Sequence, residues 1–210
     1  MRAKWKHAAR RIHYGVNNSG GRMSSAAYTY SHPRPILAAD SAVFTLHDGA
    51  LSVLLIERGQ PPFIGTWALP GGWVEEEEPV DEAGARELRE ETGLSNVDLR
   101  QLFTIGDPGR DPRGWCATVV YVALIDHRDH PVRAGDDAAH AAWFSLDELP
   151  QLAFDHDKVM RVAVQRLCTH FANPGARLVS TPERYTEDEL DALWRDAERF
   201  LRSRAAGDEG

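Results

Sequence analysis

Residues 71–94 hold the densest chemistry in the chain. They read Gly71-Gly72-Trp73-Val74-Glu75-Glu76-Glu77-Glu78, then Pro79 to Ala85, then Arg86-Glu87-Leu88-Arg89-Glu90-Glu91-Thr92-Gly93-Leu94. Pro79 suits the first turn of a helix, where its missing N–H leaves no bond unmade. Gly93 suits a C-terminal cap, so the spacing predicts a helix from Pro79 to Thr92. On that helix Glu87, Glu90 and Glu91 stand at i, i+3 and i+4 and present three carboxylates on one face. Like charges at that spacing destabilise a helix by about 0.2–0.5 kcal/mol per pair. They also crowd the C-terminal end, where the macrodipole disfavours anions. Two local rules are broken in one place, as happens where function overrides stability. A divalent cation would reverse the electrostatics, since hard ions such as Mg²⁺ take oxygen ligands and bridge to phosphates. The plain alternative is a solvated acidic face neutralised by Arg86 and Arg89.

The full spacing tips the balance toward chemistry. Gly72, five residues, Glu78, seven residues, Arg86-Glu87-Leu88, one residue, Glu90-Glu91, one residue and Gly93-Leu94 resemble the Nudix box at each of its specified positions. The resemblance implies the Nudix fold, a mixed-sheet α/β/α sandwich. It further implies hydrolysis of a nucleoside diphosphate linked to another moiety, with Mg²⁺ as cofactor and Mn²⁺ as a substitute. Carried over by position, Glu87, Glu90 and Glu91 would be metal ligands, with the main-chain carbonyl of Gly72 a further one. Glu78 would be an auxiliary metal or water contact, and Arg86 would pair with a box glutamate and orient it. The general base is not readable from the box; Glu91 and the pair Asp136 and Asp137 are the candidates.

Beyond the box, residues from about Pro35 to Leu167 are similar to ADP-ribose pyrophosphatase-like members of the family and to their regulator relatives. The shared pieces include Arg58-Gly59, Pro62-Phe63, Gly65 to Gly72, Gly109 to Gly114, Trp143-Phe144 and Phe154-Asp155-His156. ADP-ribose, giving AMP and ribose 5-phosphate, is the leading substrate; NADH, nucleoside triphosphates and nucleotide sugars are the alternatives. Arg110 and Arg113 flank a Pro/Gly loop where their guanidinium forks could grip phosphate, or the loop is an exposed turn. Phe63 and Trp67 could stack on a base, although aromatics near a sheet edge more often serve the core. Arg58 is a further substrate-contact candidate. His156 reads as a helix-start residue rather than a ligand.

The elements around the box are those of one α/β domain. Ile36–Thr45 and Leu51–Arg58 read as strands around His47-Asp48-Gly49, where Asp-Gly is a strong hairpin signal. Trp67 to Pro70 is a short extended piece. Val97–Ile105, Cys116–Ile125 and His140–Phe144 are strand-like. His156–Phe171 has apolar residues at helical spacing. A last helix opens at Thr186, where Thr186 and Glu189 form a capping box. Leu190, Leu193, Trp194, Ala197 and Leu201 make its apolar face, which serves either its own domain or a homodimer. The expected division is a flexible basic segment at 1–34, a hydrolase domain at 35–171 and a helical extension at 172–210.

A chain of 210 residues suits one such domain with additions. The longest apolar run, Ala117 to Ile125, falls far short of the about 20 residues a membrane-spanning helix needs. Six basic and no acidic residues precede Met23, without the apolar stretch of a secretory signal. That segment reads as a leader or as an over-extended start with Met23 as the natural first residue. Cys116 and Cys168 form no C-x-x-C pair and read as reduced thiols of a cytoplasmic protein. The expected partner is a small nucleotide. A net charge of −8 argues against nucleic acid. An ADP-ribose-sensing regulator, with a winged helix after the Nudix-like domain, is the competing reading, because Val179 to Leu193 resembles the entrance of such a module. Only about 40 residues follow Phe171, and residues 181–210 hold nine acidic against five basic side chains, the wrong balance for phosphate contacts.

Overall fold

The computed structural model describes residues 31–133 and 138–205. The expectations placed on the basic N-terminal segment before residue 31, on Asp136 and Asp137 and on the last residues lie outside them. The chain divides into two units, Met1–Pro35 and Ile36–Gly210, and the fold below is that of the second.

The hairpin forms where Asp-Gly predicts it. Strands β1 (Ile36–His47) and β2 (Ala50–Arg58) join through Asp48 and Gly49, both with positive φ, 50° and 79°. Such a turn has the twist that antiparallel strands need. The pair then splits. The end of β1 pairs β2 from Phe44 to His47, whereas its start, Ala38 to Asp40, pairs β4 (Gly71–Trp73). On the other side of the split, β3 (Trp67–Ala68) pairs Ile56 and Glu57 of β2. The segment that runs into the carboxylate helix is thereby wedged into the middle of the sheet.

Around this wedge the sheet is mixed. The long β1 runs parallel to β6 (Cys116–Leu124), which pairs antiparallel with β5 (Arg100–Ile105). The far edge of β2 is covered by β7 (Ala138–Ser145). Alternation along the strands separates two faces, since successive side chains point to opposite sides. Phe44, Val53, Leu55, Val120, Val122 and Leu124 face one side, and Val43, Leu54 and Ala123 the other.

Helix α1 (Val80–Thr92) covers the second side through Ala83, Gly84 and Leu88. Gly84 brings it close: a Cβ there would lie 3.2 Å from the Tyr121 ring. Its ends follow the sequence, with Pro79 extended at the entry and Gly93, at φ 76°, returning its N–H to the Arg89 carbonyl at 2.9 Å.

Helices α2 (His156–Ala172) and α3 (Glu187–Ala205) cover the first side, completing the α/β/α sandwich. The capping box forms: Glu189 N–H donates to Thr186 Oγ1 at 3.2 Å, and Thr186 N–H to Glu189 Oε2 at 2.8 Å. The apolar face of α3 needs one correction. Leu193, Ala197 and Phe200 are buried, whereas Trp194 is 37% exposed. The contact arc against α2 and β2 is centred on i, i+4 and i+7 from Leu193, and Trp194 lies about 100° off it. Two side chains fasten this C-terminal part to the sheet. The Tyr185 hydroxyl donates to the Ile125 carbonyl at 2.7 Å and accepts the Leu46 N–H at 2.9 Å, and Asp196 accepts the Leu51 N–H at 2.9 Å.

Candidate active site

The split in the sheet puts the Gly71-Gly72 strand directly against the acidic end of α1. Gly71 N–H donates to Glu91 Oε2 at 2.8 Å. A Cβ on Gly72 would overlap the Glu87 carboxylate, and one on Gly71 would overlap the Ala39 carbonyl and Asp40. At Gly71 only glycine allows β1 and β4 to approach so closely, and at Gly72 a larger residue would displace the Glu87 carboxylate.

Arg86 organises the group. Its Nε and Nη2 fork onto Glu78 at 2.7 and 2.9 Å, and its Nη1 reaches Glu87 at 2.7 Å and Glu90 at 3.3 Å. Nη2 also donates to the Trp73 carbonyl at 3.0 Å, tying the helix to β4. Glu78 turns back to accept the Glu75 N–H at 2.9 Å. Glu87 and Glu90 therefore converge on one cationic nitrogen. Glu91 lies inward of them, and Glu90 outward, with half of its side chain exposed. Among the described residues no group of three His, Cys, Asp or Glu side chains is already gathered so as to hold a metal ion.

Burial holds the Glu91 carboxyl up at about 8, and the negative charges of Glu87 and Asp40 push the same way, against the Gly71 N–H and Arg58. Burial likewise raises Glu87, against its bond to Arg86. The cluster thus holds two buried carboxyls whose ionisation is costly without a further cation nearby. All its donors are hard oxygens, so the residues fit a divalent cation.

Asp40 was not singled out from the sequence. It is 8% exposed in the middle of β1, accepts a hydrogen bond from Thr118 Oγ1 at 2.7 Å, and faces His156 Nε2 at 3.9 Å. The available signal was an acidic residue inside an otherwise apolar strand.

The substrate-contact candidates are mostly engaged within the protein. Arg110 forks onto Asp155 at 3.0 and 2.7 Å, with both side chains under 10% exposed. Arg113 forks onto Asp111, with its closest bond at 2.8 Å. Neither guanidinium stands in an open turn, because a buried aspartate holds each. Arg58 donates to the carbonyls of Pro62 and Gln60 at 2.7 and 3.2 Å. Trp67 packs edge-on against Phe144 at 4.5 Å and joins the core, the more ordinary of its two expected roles. Phe63 is exposed and meets Phe154.

His156 is buried at the start of α2, where its Nδ1 accepts the Leu69 N–H at 3.0 Å. A neutral ring then carries its proton on Nε2, toward Asp40. Burial lowers its pKa, although Asp40 and Asp155 favour the charged form. In the unfolded chain the imidazole takes up a proton as pH falls through about 6.5, while the buried ring takes it up only at lower pH. The unfolded state then binds more protons, so stability falls with falling pH, by at most about 1.4 kcal/mol per pH unit. Urea unfolding at pH 7.5 and 5.5 is expected to show a smaller acid loss for His156→Gln, which keeps an acceptor for Leu69 and does not titrate. An equal loss in both proteins would refute this assignment.

Comparison with known proteins agrees with this architecture. Residues 37–167 match the family described as NUDIX domain. The chain is 34% identical over 184 residues to the ADPR responsive transcriptional repressor NtrR of Acinetobacter baylyi, covering 85% of this chain and 73% of that protein. It is 46% identical over 109 residues to an ADP-ribose pyrophosphatase of Methanocaldococcus jannaschii, covering 52% of this chain and 63% of that protein. The NUDIX domain of Shewanella oneidensis NrtR, solved in complex with ADP ribose, superposes with a TM-score of 0.62 at 34% identity, over 65% of this chain and 91% of that one. The chain belongs to the Nudix family of hydrolases.

Proposed function

We propose that this protein hydrolyses the diphosphate of ADP-ribose to AMP and ribose 5-phosphate, with Mg²⁺ or Mn²⁺ held by Glu87, Glu90, Glu91 and the Gly72 carbonyl. The observation that carries this reading is the three-carboxylate face of α1 set against the Gly71-Gly72 strand inside a Nudix domain. The pyrophosphatase relative supports the choice of substrate.

Bound divalent ions supply an acidified water and neutralise the charge on the bridging diphosphate. The chain's own groups do the rest. Arg86 holds Glu78, Glu87 and Glu90 through four charge-assisted bonds, two of them to Glu78. Gly71 N–H fixes Glu91. Glu91, held beside the Gly71-Gly72 strand, is the described candidate for taking a proton from water. Arg58 and Arg113 bring positive charge to the same neighbourhood.

The test is a panel of ADP-ribose, NADH, nucleoside triphosphates and nucleotide sugars with Mg²⁺ and with Mn²⁺. ADP-ribose is expected to have the highest kcat/KM, with AMP and ribose 5-phosphate as products. A higher value for another member would change the substrate, and no turnover of any member would sink the enzymatic reading.

A second reading, an ADP-ribose-responsive regulator, is favoured by one observation: the repressor relative aligns over 184 residues, well beyond the NUDIX match. The acidic surplus of residues 181–210 opposes it. Gel retardation of duplex DNA at low salt, lost on adding ADP-ribose, would favour regulation.

A further inference from the structure

Two bulky residues break the same backbone rule where they meet. Phe63 and Phe154 both have left-handed φ, 63° and 55°, a region where a large side chain is a genuine outlier. They are far apart in sequence, yet their rings meet edge to face with centroids 4.9 Å apart. Strain of this kind persists where the surroundings enforce it, and it concentrates at ligand-binding positions. Core packing does not account for Phe63, which is 43% exposed, whereas Phe154 also rests against Ile56, Ala68 and Ala153. Both rings line an open cleft of about 440 Å³, together with Pro108, Pro112, Asp157 and Lys158.

The same corner is linked to the carboxylates. The Arg58 guanidinium lies 4.8 Å from the Phe154 centroid and that of Arg113 lies 5.4 Å from it. Arg113 also sits 5.0 Å over the Trp73 ring, beside Gly72. Arg58 feels the charges of both Arg113 and Glu91. Two guanidiniums therefore join an aromatic surface to the acidic end of α1.

We propose that the Phe63–Phe154 corner is the subsite for the planar base of a nucleoside diphosphate, whose diphosphate extends past Arg58 and Arg113 toward Glu87 and Glu91. This rests on the nucleotide reading above and assigns the base a place. An exposed ring whose neighbour is also aromatic offers a flat apolar surface to a heterocycle. Stacking is tolerant of base identity, so the corner selects for having a base, and the polar rim at Asp157 and Lys158 is left to select which one. A free phosphate has no flat face to offer.

The experiment separates base from diphosphate by calorimetry on the full chain in EDTA, with ADP and inorganic pyrophosphate as probes. Wild type is expected to bind ADP about tenfold more tightly than pyrophosphate. Phe63→Leu and Phe154→Gly should lose that preference while keeping pyrophosphate affinity, and Phe154→Tyr should keep it. Phe154→Gly relieves the backbone conflict but also deletes the ring's packing on Ile56, Ala68 and Ala153, so its Tm is expected to fall while pyrophosphate affinity is kept. Phe63→Leu changes an exposed side chain and guards against misfolding at residue 154. No preference in wild type, or an undiminished one in Phe63→Leu, would overturn the proposal. Because no turnover is involved, failure of the substrate panel leaves this result readable.

Discussion

Glu91→Gln is expected to lower turnover of ADP-ribose by about 10²–10³-fold without destabilising the metal-free protein. Glutamine has the same shape and can still accept the Gly71 N–H. It carries no charge, and Glu91 sits where burial, Glu87 and Asp40 all disfavour one. The substitution removes a local conflict and, with it, the ability to hold a cation. Such a pairing of better stability with worse activity is the ordinary outcome at a functional site. Thermal unfolding supplies a second readout. Mg²⁺ should raise the Tm of wild type and raise that of Glu91→Gln less, since a ligand stabilises the folded state in proportion to its binding. Glu90→Gln should cost comparable activity from an exposed position with little effect on the metal-free Tm. Equal turnover in wild type and both variants would contradict the metal assignment.

Arg110→Ala is expected to destabilise the fold by about 3–5 kcal/mol, because it leaves the Asp155 carboxylate buried with no partner. For a domain of this size that is a fall in Tm on the order of 10 °C. Pairing the change with Asp155→Leu should restore much of the loss, as an apolar pair replaces two charges that no longer need burial. A phosphate-gripping arginine predicts something different: a raised KM with an unchanged Tm. Thermal denaturation and steady-state kinetics on the same samples distinguish the two. The second pattern would return Arg110 to the substrate.

The contrast between these two side chains shows what the sequence made legible. The carboxylate face of α1 could be read because its helix is bounded by its own residues, Pro79 and Gly93, and because i, i+3, i+4 spacing on a helix fixes who is a neighbour. The Asp48-Gly49 turn and the Thr186–Glu189 capping box were legible for the same reason, since partner and position lie within one turn. Arg110 looked free because its partner, Asp155, is 45 residues away, and nothing local ties them. Strand β4 was not foreseen, as Gly71 and Gly72 have no strand propensity of their own. They are extended because the opened hairpin offers Ala38 to Asp40 as a partner. Asp40 and Phe154 belong to the same class: each acquires its meaning only when distant segments meet. Periodicity located the face of α3 but not its centre, so Trp194 was counted in that face and Phe200 was passed over.

The fastening of the C-terminal part has a consequence for how the protein is made. The main-chain N–H groups at the closed end of the first hairpin, Leu46 and Leu51, are satisfied by side chains that follow 139 and 145 residues later. During synthesis that end emerges early and stays uncapped, and β1 also waits for β6 as its parallel neighbour. Contacts this remote in sequence are slow to form, and exposed strand edges in a nascent chain invite pairing with the wrong neighbour. Tyr185 and the last helix therefore act together as a closing step in biogenesis, so that completion of the sheet alone does not make the domain secure.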